Sequence, residues 1–321
     1  MKAILTKEYG TPDVLELGEV DKPMEKDNEV LVRVKAASLN YGNVVLLSGK
    51  PFLARMAFGL FKPKFAIPGG DIAGVVEATG KNATQFQPGD EVFGDLSAFG
   101  WGGFAEYVAV PEQAIVHKPT NLTFEQAASV PMAAVTALQA LQKGKINSGQ
   151  KILINGASGG VGTFAIQIAK AYDTEVTAVC STRNIETACS LGANYVIDYT
   201  EEDVSELEDR FDLILAVNGY SPISVYNRLL KSNGSYVMIG GSQAQMVQAM
   251  FIGPLISLTN NKSMKNILQR ANQNDLLFLK ELIEANKVKP VIDRTYTLRE
   301  LKEAFNYFEQ GHAQGKVVIT I

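Results

Sequence analysis

The 321-residue chain is short of the side chains that carry most polar chemistry. It has two cysteines, Cys180 and Cys189, two histidines, His117 and His312, and a single tryptophan. Two cysteines make no disulfide framework, and a Cys/His zinc site would use up the whole supply, so two ordinary reduced thiols are expected. Positive charge is not in excess: 30 Lys and Arg against 34 Asp and Glu give −4, which argues against a general nucleic-acid binder. The largely apolar stretch 246–258 is too short, and too interrupted by Gly253-Pro254, to span a bilayer; a core strand or a dimer edge is expected there. The N-terminus, MKAILTKEYG, alternates like a strand and lacks the apolar core and cleavage site of a secretory signal, so a cytoplasmic location is expected. No repeat or low-complexity tract occurs.

What remains is an ordinary globular composition, 46% hydrophobic and 20% charged, in a chain long enough for two domains. Residues 1–119 read as short strands (29–36, 71–78, 90–93 and 104–110) between Gly, Pro, Asn and Asp turns, which fits an antiparallel, barrel-like domain. At Thr123 the period changes. Thr123 to Gln126 matches a capping box before an alanine-rich helical segment, which Pro131 should kink or divide. Strands (151–155, 175–179, 195–197, 212–217 and 235–239) then alternate with helices (163–171, 185–191 and 224–230). That βαβ rhythm implies a parallel sheet covered on both faces. Later come a helix over 274–285, a strand near 292–296, a helix over 298–310 and a strand over 316–321. The last strands have no place in the parallel sheet and are expected to return to the first domain.

The organising stretch is 151–162, KILINGASGGVG. Strand, glycine turn and helix in this order aim backbone N–H groups and a helix N-terminus at the turn, an arrangement that favours a pyrophosphate. Ala157, Ser158, Gly159, Gly160, Val161 and Gly162 are the expected contacts, with glycine where a Cβ would block close approach. Sharp strand-to-helix turns also use glycine for steric reasons alone, so the turn by itself leaves the reading open. The next strand continues as Cys180-Ser181-Thr182-Arg183-Asn184. An NAD site would place Asp or Glu here to accept from the ribose hydroxyls; Ser181, Thr182 and Arg183 offer donors instead, and a guanidinium suits the 2′-phosphate of NADPH. Charge-assisted bonds of about 1.5–3 kcal/mol each predict an NADPH preference of about tenfold or more.

With these elements placed, the whole chain resembles the zinc-independent branch of the medium-chain dehydrogenase/reductase superfamily, the quinone oxidoreductase or zeta-crystallin-like enzymes. The likeness rests on Ala36 to Asn40 (AASLN), Pro68 to Gly74 (PGGDIAG), Pro88 to Val92 (PGDEV), Ala157 to Gly162 (ASGGVG), Leu191 to Asp198 (LGANYVID) and Gly315 to Val318 (GKVV). Ala157 replaces the first glycine of the general dinucleotide fingerprint, as is typical of this branch. The resemblance implies an α/β protein: a GroES-like β-barrel catalytic domain (1–121 and 262–321) plus a Rossmann doubly wound parallel-sheet cofactor domain (122–261). It implies NADPH as cofactor and hydride transfer from its nicotinamide. Zinc-dependent relatives carry Cys in the segment matching 37–43, His in that matching 69–73, and a four-cysteine lobe; this chain has none of them, so no metal site is expected. Without a Lewis acid, conjugated acceptors such as quinones or α,β-unsaturated carbonyls are favoured, because they spread the developing charge.

The resemblance also assigns residues. Asn40 matches the asparagine lining the family's substrate site, and Tyr41 beside it is the second catalytic candidate. Val45 stands where some relatives carry a tyrosine, and Asn43 where many carry Asp. Thr136 on the capped helix could face the nicotinamide. Asn218, Gly240 and Gly241, which follow the strands 212–217 and 235–239, complete the expected cofactor set. No protein general base is expected, solvent being able to protonate the product. The alternatives are an enoyl-thioester reductase and a non-catalytic NADPH-binding sensor, and a homodimer through 246–258 is an expected partner contact.

One insertion stays open. Residues 30–70 hold no acidic side chain but six basic ones, Arg33, Lys35, Lys50, Arg55, Lys62 and Lys64, around the apolar cluster PFLARMAFGLF (51–61). It packs on its domain, closes as a lid over a hydrophobic pocket, or touches a membrane surface; the lid is preferred because the run is short and broken by Gly59.

Overall fold

The computed structural model describes residues 1–219, 221–259 and 261–321. They form two compact units: 1–135 with 270–284 and 290–321, and 136–269 with 285–289.

The first unit opens with a hairpin, β1 (Lys2–Thr6) against β2 (Leu15–Glu19), before β3 (Glu29–Ser38). Helices α1 (Tyr41–Ser48) and α2 (Arg55–Phe58) precede β4 (Asp71–Thr79), β5 (Glu91–Asp95), β6 (Tyr107–Pro111) and β7 (Ile115–His117). β3, the longest strand, pairs antiparallel with both β4 and β6, and its alternating Val30, Val32 and Val34 enter a core with Ile72, Val92, Val110 and Ile115. The expected strand 104–110 shifts to β6. Helix α1 was not foreseen, because Gly42, Val44 and Val45 lower its helix propensity. It forms where Asn43 Oδ1 accepts the Asn40 N–H at 2.9 Å and Gly49 ends it at φ +62°.

The capping box at Thr123 forms as read: Thr123 Oγ1 accepts the Gln126 N–H and Gln126 Oε1 the Thr123 N–H. It starts α3 (Phe124–Ala128), and Pro131 divides the helical segment by opening α4 (Pro131–Lys143). Proline is tolerated at that first position because its missing N–H has no intrahelical partner there.

The second unit alternates β8 (Lys151–Asn155), α5 (Gly160–Ala171), β9 (Glu175–Cys180), α6 (Ile185–Ser190), β10 (Tyr195–Asp198), β11 (Phe211–Ala216), α7 (Ile223–Leu229) and β12 (Leu230–Met238). Two helices, α8 (Gln243–Phe251) and α9 (Gly253–Thr259), lead to β13 (Ser263–Asn266). The sheet is parallel in the order β10-β9-β8-β11-β12-β13. β13 carries this sheet past the expected boundary at 261. The stretch 246–258 is helical, not a strand. Ser242 Oγ caps it by accepting the Gln245 N–H at 3.2 Å, and an apolar run of this length does not tell strand from helix by its period.

The chain returns to the first unit through α10 (Gln273–Glu284), β14 (Ile292–Thr297), α11 (Leu301–Glu309) and β15 (Lys316–Thr320). β14 and β15 join the seven-stranded sheet, β15 antiparallel to β3, as the sequence leads one to expect. α11 seals a second core, where Phe305 meets Phe104 edge-on at 6.3 Å.

Candidate active site

In the second unit the expected cofactor residues gather at the carboxyl ends of the parallel strands. After β8, Gly156 turns at φ +87°, with its Cα against Asn218 so closely that a Cβ would lie 2.6 Å from the Asn218 N. Gly162 packs on the turn: a Cβ there would come within 2.3 Å of the Gly156 carbonyl oxygen. Gly159, by contrast, faces open space and begins α5 with no side-chain cap and no acid in the first turn. The N–H groups of Gly160, Val161 and Gly162 therefore point to an uncapped, positive helix end. Asn155 closes β8, its Nδ2 donating to the Tyr226 hydroxyl at 2.7 Å. Asn218 follows β11, donating its N–H to the Asn155 carbonyl at 3.2 Å, and Gly240 and Gly241 follow β12, Gly240 donating to Ala216 O at 3.3 Å. Thr136 is buried on α4.

β9 ends in Cys180 without a carboxylate. Burial, then the negative charge of Asp198, pushes the Cys180 thiol up to about 11, so it is no nucleophile at neutral pH. Ser181, Thr182 and Arg183 follow. Asn184 Nδ2 donates to Ser181 Oγ at 2.9 Å, and the Thr182 hydroxyl lies 3.0 Å from that of Thr200, which donates to Asp198 at 2.7 Å. Hydrogen bonds from Thr182 and Thr200 hold Asp198 below the usual carboxylate range. Arg183 is exposed. These residues fit NADPH: donors with a guanidinium where a 2′-phosphate needs them, and open space at the helix end where a pyrophosphate needs it.

The first unit holds a buried polar cluster. Asp71, fully buried at the start of β4, accepts from Asn40 Nδ2 at 2.8 Å, Ser38 Oγ at 3.0 Å and the Met132 N–H at 3.0 Å. Lys316, on β15 and 3% exposed, places its ammonium 2.5 Å from Asn40 Oδ1, 2.9 Å from the Leu39 carbonyl and 3.6 Å from Asp71. Asp95, also buried, faces Asp71 across the β4–β5 pair. Burial pushes the Asp71 carboxyl up to about 6, against the pull of Lys316 and with a further push from Asp95; burial likewise lowers Lys316. The neighbours fix the orientation of Asn40: lysine can only donate and a carboxylate accept, so its oxygen faces Lys316 and its NH2 faces Asp71. One amide hydrogen remains for a ligand. Tyr41, the next residue, is 69% exposed and takes no part in this cluster.

The segments that hold the zinc ligands of zinc-dependent relatives are filled here by other chemistry. A Cβ on Gly70 would meet the Met132 Cε at 3.1 Å and the Trp101 ring at 3.3 Å, and one on Gly42 would meet Trp101 at 3.3 Å. An indole carbon face and a thioether are poor ligands for Zn²⁺, so these residues do not form a zinc centre. Among the described residues no group of three or more His, Cys, Asp or Glu is placed to hold a metal ion.

Asn40, a site candidate in the sequence, falls in this buried cluster, and its neighbours Lys316 and Asp71, like Trp101 beside Gly42 and Gly70, are not candidates there. The motifs PGGDIAG and GKVV contained two of them; what they lacked was the pairing of β15, β3 and β4, which brings residues 40, 71 and 316 together.

Comparison with known proteins agrees in both units. The alcohol dehydrogenase GroES-like domain model matches residues 26–120, and the zinc-binding dehydrogenase model matches 191–319. A 2-methylene-furan-3-one reductase of Solanum lycopersicum is 36% identical over 99% of this chain and 79% of its own length. An NADPH-dependent alkenal/one oxidoreductase of Arabidopsis thaliana, chloroplastic, is 34% identical over the same shares. The solved quinone oxidoreductase from Coxiella burnetii superposes with a TM-score of 0.88 at 31% identity, covering 100% of this chain and 99% of that one. Sequence, sheet topology and the glycine turn converge, and the chain belongs to the medium-chain dehydrogenase/reductase superfamily, in its quinone oxidoreductase branch.

Proposed function

We propose that this protein is an NADPH-dependent reductase of quinones or α,β-unsaturated carbonyls. The observation that carries the reading is the uncapped N-terminus of α5, with open space at Gly159 and a carboxylate-free strand end at Cys180. The relatives support it: one reduces a 2-methylene-furan-3-one, one uses NADPH on alkenals and enones, and one is a quinone oxidoreductase.

Bound NADPH supplies the hydride. The chain's own part is binding and electrostatics. Ala157, Ser158 and the N–H groups of Gly160, Val161 and Gly162 receive the pyrophosphate, and Ser181, Thr182 and Arg183 the 2′-phosphate. Thr136, Asn218, Gly240 and Gly241 complete the cofactor contacts. Asn40, held by Lys316 and Asp71, presents its remaining amide hydrogen to the acceptor oxygen on which negative charge grows. Conjugation spreads that charge, so a neutral donor suffices where a lone ketone would need a Lewis acid. Tyr41, the second candidate, is exposed next to Asn40 in the chain, and the product takes its proton from solvent.

The test is the oxidation of NADPH, followed by absorbance, with a panel of quinones and 2-alkenones and NADH in parallel. Turnover with NADPH preferred, and a fall of about tenfold or more in kcat for Asn40→Ala, supports the reading. Tight NADPH binding with no oxidation by any acceptor removes it in favour of a sensor, and competition by enoyl thioesters favours that acyl substrate.

The same reading includes a homodimer. β13 pairs only with β12 among the described strands, and the flanking helices leave Val247, Met250, Phe251, Leu255 and Leu258 between 54% and 82% exposed. An open strand edge beside apolar helices suits a second copy. A monomer in light scattering removes this. A reducing compartment goes with it, since both cysteines are free and Cys189 is exposed; the cytoplasm is one such compartment, and no helix among the described residues is long and apolar enough to cross a membrane.

A further inference from the structure

Segment 50–65 shows its apolar side chains to solvent. Phe52, Leu53, Met56, Leu60 and Phe61 are 66%, 73%, 79%, 48% and 88% exposed. Phe58, between them, turns the other way and meets Trp101 edge-on at 6.0 Å. The outward residues stand on a tethered scaffold. Tyr9 donates its hydroxyl hydrogen to Gly59 O at 2.5 Å, Lys64 its N–H to Phe58 O at 2.6 Å, and Arg55 its Nε–H to Gly49 O at 3.2 Å. Lys50, Lys62 and Lys64 surround them, all exposed, and among the described residues none has a carboxylate at ion-pair distance. The chain carries −4 overall, yet residues 30–70 carry six cations and no anion.

Packing on the domain would bury these side chains, yet no residue of 52–58 is buried and only Phe58 of the large apolar ones there is half-covered. A soluble, unpartnered surface would not concentrate five large apolar side chains in ten residues. Apolar side chains ringed by lysines without carboxylate partners match one environment in both respects: the boundary of an anionic bilayer, where the first enter the acyl and headgroup region and the second meet phosphate and carboxylate groups.

We propose that segment 50–65 docks the protein on anionic lipid surfaces, with Phe52, Leu53, Met56, Leu60 and Phe61 inserted and Lys50, Lys62 and Lys64 on the headgroups. The contact is peripheral and reversible. Each lysine raises partition onto such a surface about fivefold, so salt and charge reversal weaken it steeply. The inference rests on this surface and not on the identity of the acceptor.

Co-sedimentation of the full chain with phosphatidylcholine vesicles, with and without phosphatidylserine, tests it. The expected result is pelleting with the anionic vesicles, little with the neutral ones, release by salt, and a loss of about tenfold or more in both Lys62→Glu/Lys64→Glu and Leu53→Ser/Phe61→Ser. These positions are exposed, and circular dichroism and NADPH binding check that the variants are folded. Protein that stays in the supernatant with anionic vesicles at low salt overturns the proposal, as do variants that pellet like the wild type. Without vesicle binding, a raised KM in both variants assigns the segment to a lid, and a change of mass in light scattering assigns it to a second copy; either result also overturns it.

Discussion

The ammonium of Lys316 lies 2.5 Å from the carboxamide oxygen of Asn40, although 276 residues separate them in the chain. The same ammonium stands 3.6 Å from Asp71, which takes the Asn40 NH2. Two buried ions thus hold one neutral amide in a single orientation. Buried pairs contribute little net stability, because desolvation offsets their attraction.

Removing one ion exposes that balance. Lys316→Met leaves Asp71 buried without its counter-ion and should cost about 3–5 kcal/mol in urea unfolding, whereas Lys316→Met with Asp71→Asn should recover part of the loss. Additive losses in this double-mutant cycle would show that the two side chains do not interact.

Asp71 also sets a pH dependence. Its folded pKa, about 6, lies above the ordinary carboxylate value, so the folded state holds a proton that the unfolded chain releases first. Its contribution to stability is therefore complete below about pH 4 and is lost as pH rises to about 6. Urea melts across that range should show the wild type losing stability relative to Asp71→Asn as pH rises; a difference independent of pH contradicts the assignment.

Arg183→Ala should weaken NADPH by about tenfold or more and NADH far less, since only NADPH carries the 2′-phosphate. Fluorescence titration of both cofactors reads this directly, and equal losses would sink the assignment of Arg183.

Two glycines of one turn should respond differently. Gly162→Ala drives a Cβ to 2.3 Å from the Gly156 carbonyl oxygen and should lower both stability and NADPH affinity. Gly159→Ala meets nothing within 4 Å, so stability should stay within about 0.5 kcal/mol, while NADPH weakens as the methyl takes the space of the pyrophosphate. Unchanged NADPH affinity in Gly159→Ala would remove the pyrophosphate from that place.

The strand, glycine turn and helix over 151–171 were legible because they are local, and residues 155–162 carry their own geometry. Helix α1 and the helices α8 and α9 were not. Gly42, Val44 and Val45 argue against α1, yet the cap at Asn40 and the burial of Leu46 and Leu47 outweigh propensity. In 246–258 the apolar residues suit either period, and packing on β13 made them helical.

The sequence by itself determined the two-domain order, the parallel sheet with its phosphate-ready turn, the absence of an acid after β9 and the lack of zinc ligands at the expected places. These depend on residue type and short spacing, which the chain shows directly. Only the tertiary structure decided that Lys316 and Asp71 hold Asn40, that Trp101 and Met132 fill the space beside Gly42 and Gly70, and that the insertion turns Phe58 inward and its other large apolar side chains out. Those facts arise from strand pairings and contacts between residues far apart in sequence, where pairing energy is set by register and burial and leaves no local pattern to read.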